Sequence, residues 1–190
     1  MKTLSEIQAN TEWVKFYETF NRLGLLEHFD EETLKNELLS APCGMTEDTG
    51  TAYKGALLIH INMVAALAQR TAKMISGTFE INEDSLLKVC YLMHLSKRYM
   101  FKENGNAYGR VFDFNNDVME GVLYGGERSA LEALNRGITF SPIEYEAIKC
   151  LDGESTNSQK AMQSILTTIV RQANELAYAI ERERYNKIKN

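Results

Sequence analysis

Two histidines stand inside two largely apolar stretches of the chain. His60 lies in YKGALLIHINMVAALAQR (residues 53–70) and His94 in DSLLKVCYLMHLSKR (residues 84–98). Imidazole binds divalent metals and moves protons near neutral pH, so two of them on neighbouring buried helices suggest a site, or the remains of one. A hydrolytic metal site needs three or more donors per ion, with carboxylates to balance the charge. The third histidine, His28, falls in the peripheral N-terminal region and reads as an ordinary half-exposed side chain. Cys90 precedes His94 by one turn. That spacing is permitted for two ligands of one ion but is common on helices by chance, and no metal site is assigned to it.

The elements that must position these groups are helices. Leu57, His60, Val64 and Leu67 share one face of the first stretch, and Leu87, Cys90, Tyr91 and His94 share one face of the second. The first helix is predicted to reach about Ile75 with Gly77 ending it; the second is capped by Asn82 and ends near Ser96. Residues 4–28 read as helical, broken at Gly24, with Thr11 capping a turn that carries Trp13, Val14, Phe16, Tyr17 and Phe20. Asp30 caps a short helix that Pro42 ends. Residues 43–52 form a polar loop. Between residues 99 and 116, apolar and aromatic runs flank Asn104-Gly105, which predicts a small two-stranded hairpin. Three helices follow: 127–136, ended by Gly137; 141–151, opened by a Ser141/Glu144 capping box; and about 158–185. Met162, Ile165, Ile169, Ala173, Leu176 and Ile180 form the expected apolar stripe of the last one.

The bulk composition bounds the function. A chain of 190 residues, 44% hydrophobic and 25% charged, suits one globular domain, with residues 1–40 as a helical extension and 41–190 as the main body. Its formal charge of −5 argues against general nucleic-acid binding. The local basic cluster Lys97, Arg98, Lys102 and Arg110, beside Tyr99, Phe101 and Tyr108, reads as a solvated face. Cys43, Cys90 and Cys150 are odd in number, lack C-x-x-C spacing and read as reduced, mostly buried thiols, which predicts a cytoplasmic location. Neither a secretory leader nor a membrane span is predicted.

The order of segments YKGALLIH, LLKVCYLMHLSKR, YGGERSALEALNRGITFSPIEYEAIKCLDGE and VRQANELAYAIE resembles HD-domain proteins, over residues 41–181. These are small helical metal-dependent phosphohydrolases found in bacteria and tailed phages. The resemblance implies an all-α, HD-domain-like helical bundle with a small β-hairpin insertion. It places His60 at the first metal histidine and His94 at the histidine of the His-Asp pair. Leu95 stands where the pair's aspartate belongs, Arg98 at the following basic position, and Asn174 where the last-helix aspartate belongs. Gly50, Gly125 and Leu151 fall where relatives often carry further histidines.

Leucine has no lone pair to donate, and a carboxamide is a poor replacement for a bridging carboxylate. The resemblance therefore implies an HD-like protein without catalytic residues, in which His60, His94, Leu95, Arg98 and Asn174 are vestigial positions and no cofactor is held. It would act as a binding or assembly component, virion-associated if phage-encoded. A protein partner or a second copy is expected; a nucleotide-like ligand comes second. The competing expectation is a phosphohydrolase acting on a nucleotide or other phosphoester. There His60 and His94 would hold a divalent ion such as manganese, iron, zinc or nickel, with Asn174 and one of Asp48, Glu127 or Asp152 completing the shell. Lys97 or Arg98 would meet phosphate.

Overall fold

The computed structural model describes residues 6–104, 110–118, 125–149 and 163–189. Eight α-helices and one two-stranded sheet make up the described residues: α1 Glu6–Arg22, α2 Glu31–Ser40, α3 Ala56–Ile75, α4 Glu83–Leu92, α5 Lys97–Met100, β1 Phe101–Glu103, β2 Phe112–Phe114, α6 Gly125–Asn135, α7 Pro142–Lys149 and α8 Ile165–Lys189. The protein is thus mostly α-helical with a small antiparallel hairpin.

Local chemistry sets most helix starts. The Asp30 side chain accepts a hydrogen bond from the Thr33 N–H at 2.9 Å, and Asn82 does the same for Ser85 at 2.9 Å. The capping box on α7 closes in both directions, Ser141 N–H to Glu144 Oε2 at 2.8 Å and Glu144 N–H to Ser141 Oγ at 3.3 Å. Gly55 opens α3 at φ 81°, a left-handed conformation that costs glycine little.

Helix α3 is the axis of the fold. It packs chiefly against α8 and α4, and also against α1 and α2. Its residues Leu57, Leu58, Ile61, Val64 and Ala68 are all fully buried, so several faces are covered at once. From α1, Trp13, Phe16 and Phe20 stack into the same core at i, i+3 and i+7, with Phe16 and Phe20 ring centroids 4.7 Å apart. Leu34 and Leu38 of α2 join that core.

Four local expectations are corrected. Thr11 lies inside α1, where its hydroxyl donates to the Ile7 carbonyl at 2.8 Å; it caps nothing. Helix α4 stops at Leu92, so His94 sits on the tight turn between α4 and α5. In the hairpin, Phe101 pairs with Phe114 and Glu103 with Phe112, and the Asn104 N–H reaches the Val111 carbonyl at 2.9 Å. That register makes the connection longer than a two-residue Asn-Gly turn. On α8 the buried face is Leu166, Ile169, Val170, Ala173 and Ala177, while Ile165 and Leu176 are exposed. The helix is rotated by about 70° from the expected stripe, because Asn174 and Glu181 also face inward and carry the buried arc with them. Met162 and residues 158–161 lie outside the described residues.

Candidate functional site

The site forms where α3, the turn after α4 and one face of α8 meet. His60 projects from the second turn of α3 (Ala56–Ile75) into α8. The chain leaves α4 through i→i−3 bonds, Leu95 N–H to Leu92 and Lys97 N–H to His94, and this tightening carries His94 round beside His60. On α8, Asn174, Tyr178 and Glu181 stand at i, i+4 and i+7 and so share one face. His60, His94, Asn174 and Glu181 are all buried.

Asn174 Oδ1 lies 2.9 Å from His60 Nε2 and 2.8 Å from His94 Nε2. A carbonyl oxygen only accepts, so both Nε2 atoms carry hydrogen and both imidazoles donate to one amide oxygen. His60 Nδ1 lies 2.8 Å from Glu181 Oε2. With Nε2 already protonated, that contact needs one further proton, held between His60 and Glu181. The second Glu181 oxygen is buried without a hydrogen-bond partner among the described residues. The two imidazole centroids are 5.1 Å apart, and the Tyr178 ring covers His60 at 4.1 Å.

Burial holds His94 well below the ordinary imidazole range, reinforced by the positive charge of Lys97 and by His60; the Asn174 hydrogen bond opposes this only in part. His94 is therefore neutral in the native state at neutral pH, and its protonation is linked to stability. Above pH 6.5 neither native nor unfolded His94 binds a proton, and its contribution is complete. As pH falls below 6.5, the unfolded chain takes up a proton that the native site refuses, so stability drops by about 1.4 kcal/mol per pH unit until native His94 itself titrates. The unfolding free energy of the native protein minus that of His94→Gln should show this slope below pH 6.5 in urea titrations. A flat difference would mean His94 is protonated in the folded state.

A second layer closes over these groups. The Lys97 ammonium donates to the Tyr178 hydroxyl at 2.8 Å, and Cys43 Sγ lies 3.3 Å from the same hydroxyl. Burial pushes the Cys43 thiol up to about 11, so it is a poor nucleophile at neutral pH. Cys90 is buried as well, and burial pushes its thiol up to about 12; Cys150 lies outside the described residues. Gly50, at φ 72°, lets the 43–52 loop pass against α8; a Cβ there would stand 2.6 Å from the Glu181 carbonyl oxygen. A histidine side chain has no room at that position. The hairpin rests on this loop, through Val111 N–H to the Met45 carbonyl at 2.8 Å and a bridge between Thr46 and Arg110.

Several positions singled out in the sequence serve other ends. Leu95 is fully buried within the apolar core. Arg98 does not face the histidines. It is buried between Glu37 and Glu132, which it binds through Nε and through both terminal nitrogens respectively, and it stacks near Phe29 and Tyr99. Burial by itself would lower its pKa, but the hydrogen bonds and charges of the two glutamates outweigh burial and raise it. Lys97 is engaged by Tyr178, Lys102 by Asp117 at 3.2 Å, and Arg110 by Asp113 at 3.5 Å, so these cations are paired within the fold. Of the acids considered for a metal shell, Glu127 pairs with Lys149 and Asp48 is exposed. Asp152, Leu151 and Tyr108 lie outside the described residues. His28 sits beside the Arg136 carbonyl, 2.8 Å from Nδ1, remote from the site.

Sequence reasoning missed Glu181 and Tyr178. Both follow Asn174 at helical spacing, and a glutamate in phase with buried alanines was the available signal.

The donor set does not fit a resident divalent ion. Among the described residues no group of three or more His, Cys, Asp or Glu side chains is arranged to hold a metal. The point where the two Nε2 atoms converge is filled by a neutral carboxamide oxygen. The one carboxylate lies on the far nitrogen of His60, where it can orient the ring but cannot ligate at that point. Comparison with protein families, with curated proteins and with solved structures finds no match. No helix among the described residues is long and apolar enough to cross a membrane.

Proposed function

We propose that this protein is a catalytically inactive, HD-domain-like helical protein that acts by binding, as a structural or assembly component. Its partner would be another protein or a second copy of the chain, and a virion is the setting if the chain is phage-encoded. The observation that carries this reading is the single amide oxygen of Asn174, which accepts from both imidazoles and takes the place a cation would need. Buried histidines that share one amide acceptor in this way act as core polar groups. Without a held ion there is no acidified water to attack a phosphoester.

A second reading, a metal-dependent phosphohydrolase acting on a nucleotide or other phosphoester, draws on Glu181. A carboxylate on the outer nitrogen of an imidazole is the arrangement that steadies metal-binding histidines. Elemental analysis of the full chain purified without chelator, alongside hydrolysis of p-nitrophenyl phosphate and of nucleotides with added manganese, separates the two. The binding reading expects far less than stoichiometric metal and no turnover above blank. A stoichiometric ion that disappears, together with hydrolysis, in His60→Ala would establish the enzyme instead. Asn174→Asp gives a positive control: it supplies an anion at the convergence point and is expected to take up zinc where the unmodified chain does not.

A further inference from the structure

The far end of α3 carries an open cleft that plays no part in the histidine site, about 20 Å along the helix from His60 at 1.5 Å per residue. Its volume is about 540 Å³, within the usual range of small-ligand sites. The walls come from the last two turns of α3, the connector after it and the first turn of α4. Leu86, fully buried, lies at the floor, and Phe79, about half exposed, forms one side.

The polar groups of this cleft are unequally matched. Glu83, which also lines the cleft, accepts from the neutral Gln69 amide at 2.7 Å and keeps its charge, so the lining carries two cations against one carboxylate. Arg70 and Lys73, exposed at i and i+3 on α3, have no acidic partner among the described residues. The nearby Asp84 is taken by Arg22 at 2.6 Å. Two unpaired cations therefore stand at the edge of a half-apolar cleft, on a chain whose overall charge is −5. A ligand that gains from both features has an anionic head and an apolar body. A neutral apolar molecule forgoes the cations, and a cationic one is repelled by them.

We propose that this cleft binds a small amphiphilic carboxylate, with its head group on Arg70 and Lys73 and its aliphatic part against Phe79 and Leu86. This goes beyond the proposed binding function and does not depend on it, since the cleft and the histidine site share no residue.

The test titrates the full chain with sodium octanoate, octan-1-ol and octyltrimethylammonium, each below its micelle concentration, following the Leu86 methyl signals by NMR. Octanoate should shift them saturably and bind at least about tenfold more tightly than octyltrimethylammonium, equivalent to about 1.4 kcal/mol. Raising salt should weaken octanoate but not octanol. The exposed double substitution Arg70→Glu/Lys73→Glu should reverse the order of the two ions at unchanged melting temperature. Equal affinity for the two ions, or no saturable shift at Leu86, overturns the proposal. The salt dependence of the unmodified chain decides the matter if the double variant does not fold.

Discussion

Leu95→Asp is expected to cost about 5 kcal/mol of folding stability and to restore no metal site. The residue occupies the position where a ligand aspartate would be read from the sequence, yet its side chain belongs to the fully buried apolar core. The change removes about 2–3 kcal/mol of apolar burial. It then buries a carboxyl group, charged or neutral, with no donor to receive it, at a further cost of about 2–3 kcal/mol. Against a total stability of about 5–15 kcal/mol, that loss removes about a third or more of what holds the fold together. The urea midpoint checks this, read with and without manganese or zinc. A folded Leu95→Asp protein with an unchanged midpoint that gains a bound ion would show that the turn after α4 can present residue 95 to the histidines.

Arg98→Met should cost about 3–5 kcal/mol, the range for breaking a buried ion pair by removing one partner. The guanidinium joins α2 to α6 by binding Glu37 and Glu132 together, with Phe29 and Tyr99 against its faces. Without it Glu132 keeps Arg136, 3.0 Å away, and the Tyr99 hydroxyl. Arg98→Lys should recover only part of the loss, because an ammonium lacks the planar fork that binds Glu132 through two nitrogens while Nε holds Glu37. Denaturant unfolding of both variants measures the effect. A loss below about 1 kcal/mol for Arg98→Met would leave Arg98 free for a ligand, which the ion-pair geometry argues against.

The helices are largely legible in the sequence. Asp30, Asn82 and Ser141 each cap the helix they were expected to cap, because capping depends on a few adjacent backbone N–H groups. The apolar faces around His60 and His94 were readable for the same local reason. The phase of α8 was not. Aliphatic spacing favours Ile165 and Leu176, but the helix turns Asn174 and Glu181 inward because His60 and His94 offer them partners more than 80 residues away or at that separation. A long-range polar match overrode a local hydrophobic one. The partners of Arg98 are not legible in the sequence either: nothing near it tells of Glu37, from α2, or Glu132, from α6.

By itself the sequence determined a helical chain, a small hairpin and two buried imidazoles, since periodicity and capping are written within a few residues of each other. Tertiary structure decided what those imidazoles face. An amide oxygen, a glutamate and a tyrosine from one arc of α8 complete the site, and only the docking of α8 on α3 brings them there. Their partners are fixed by helix rotation, and helix rotation is set by the whole packed surface.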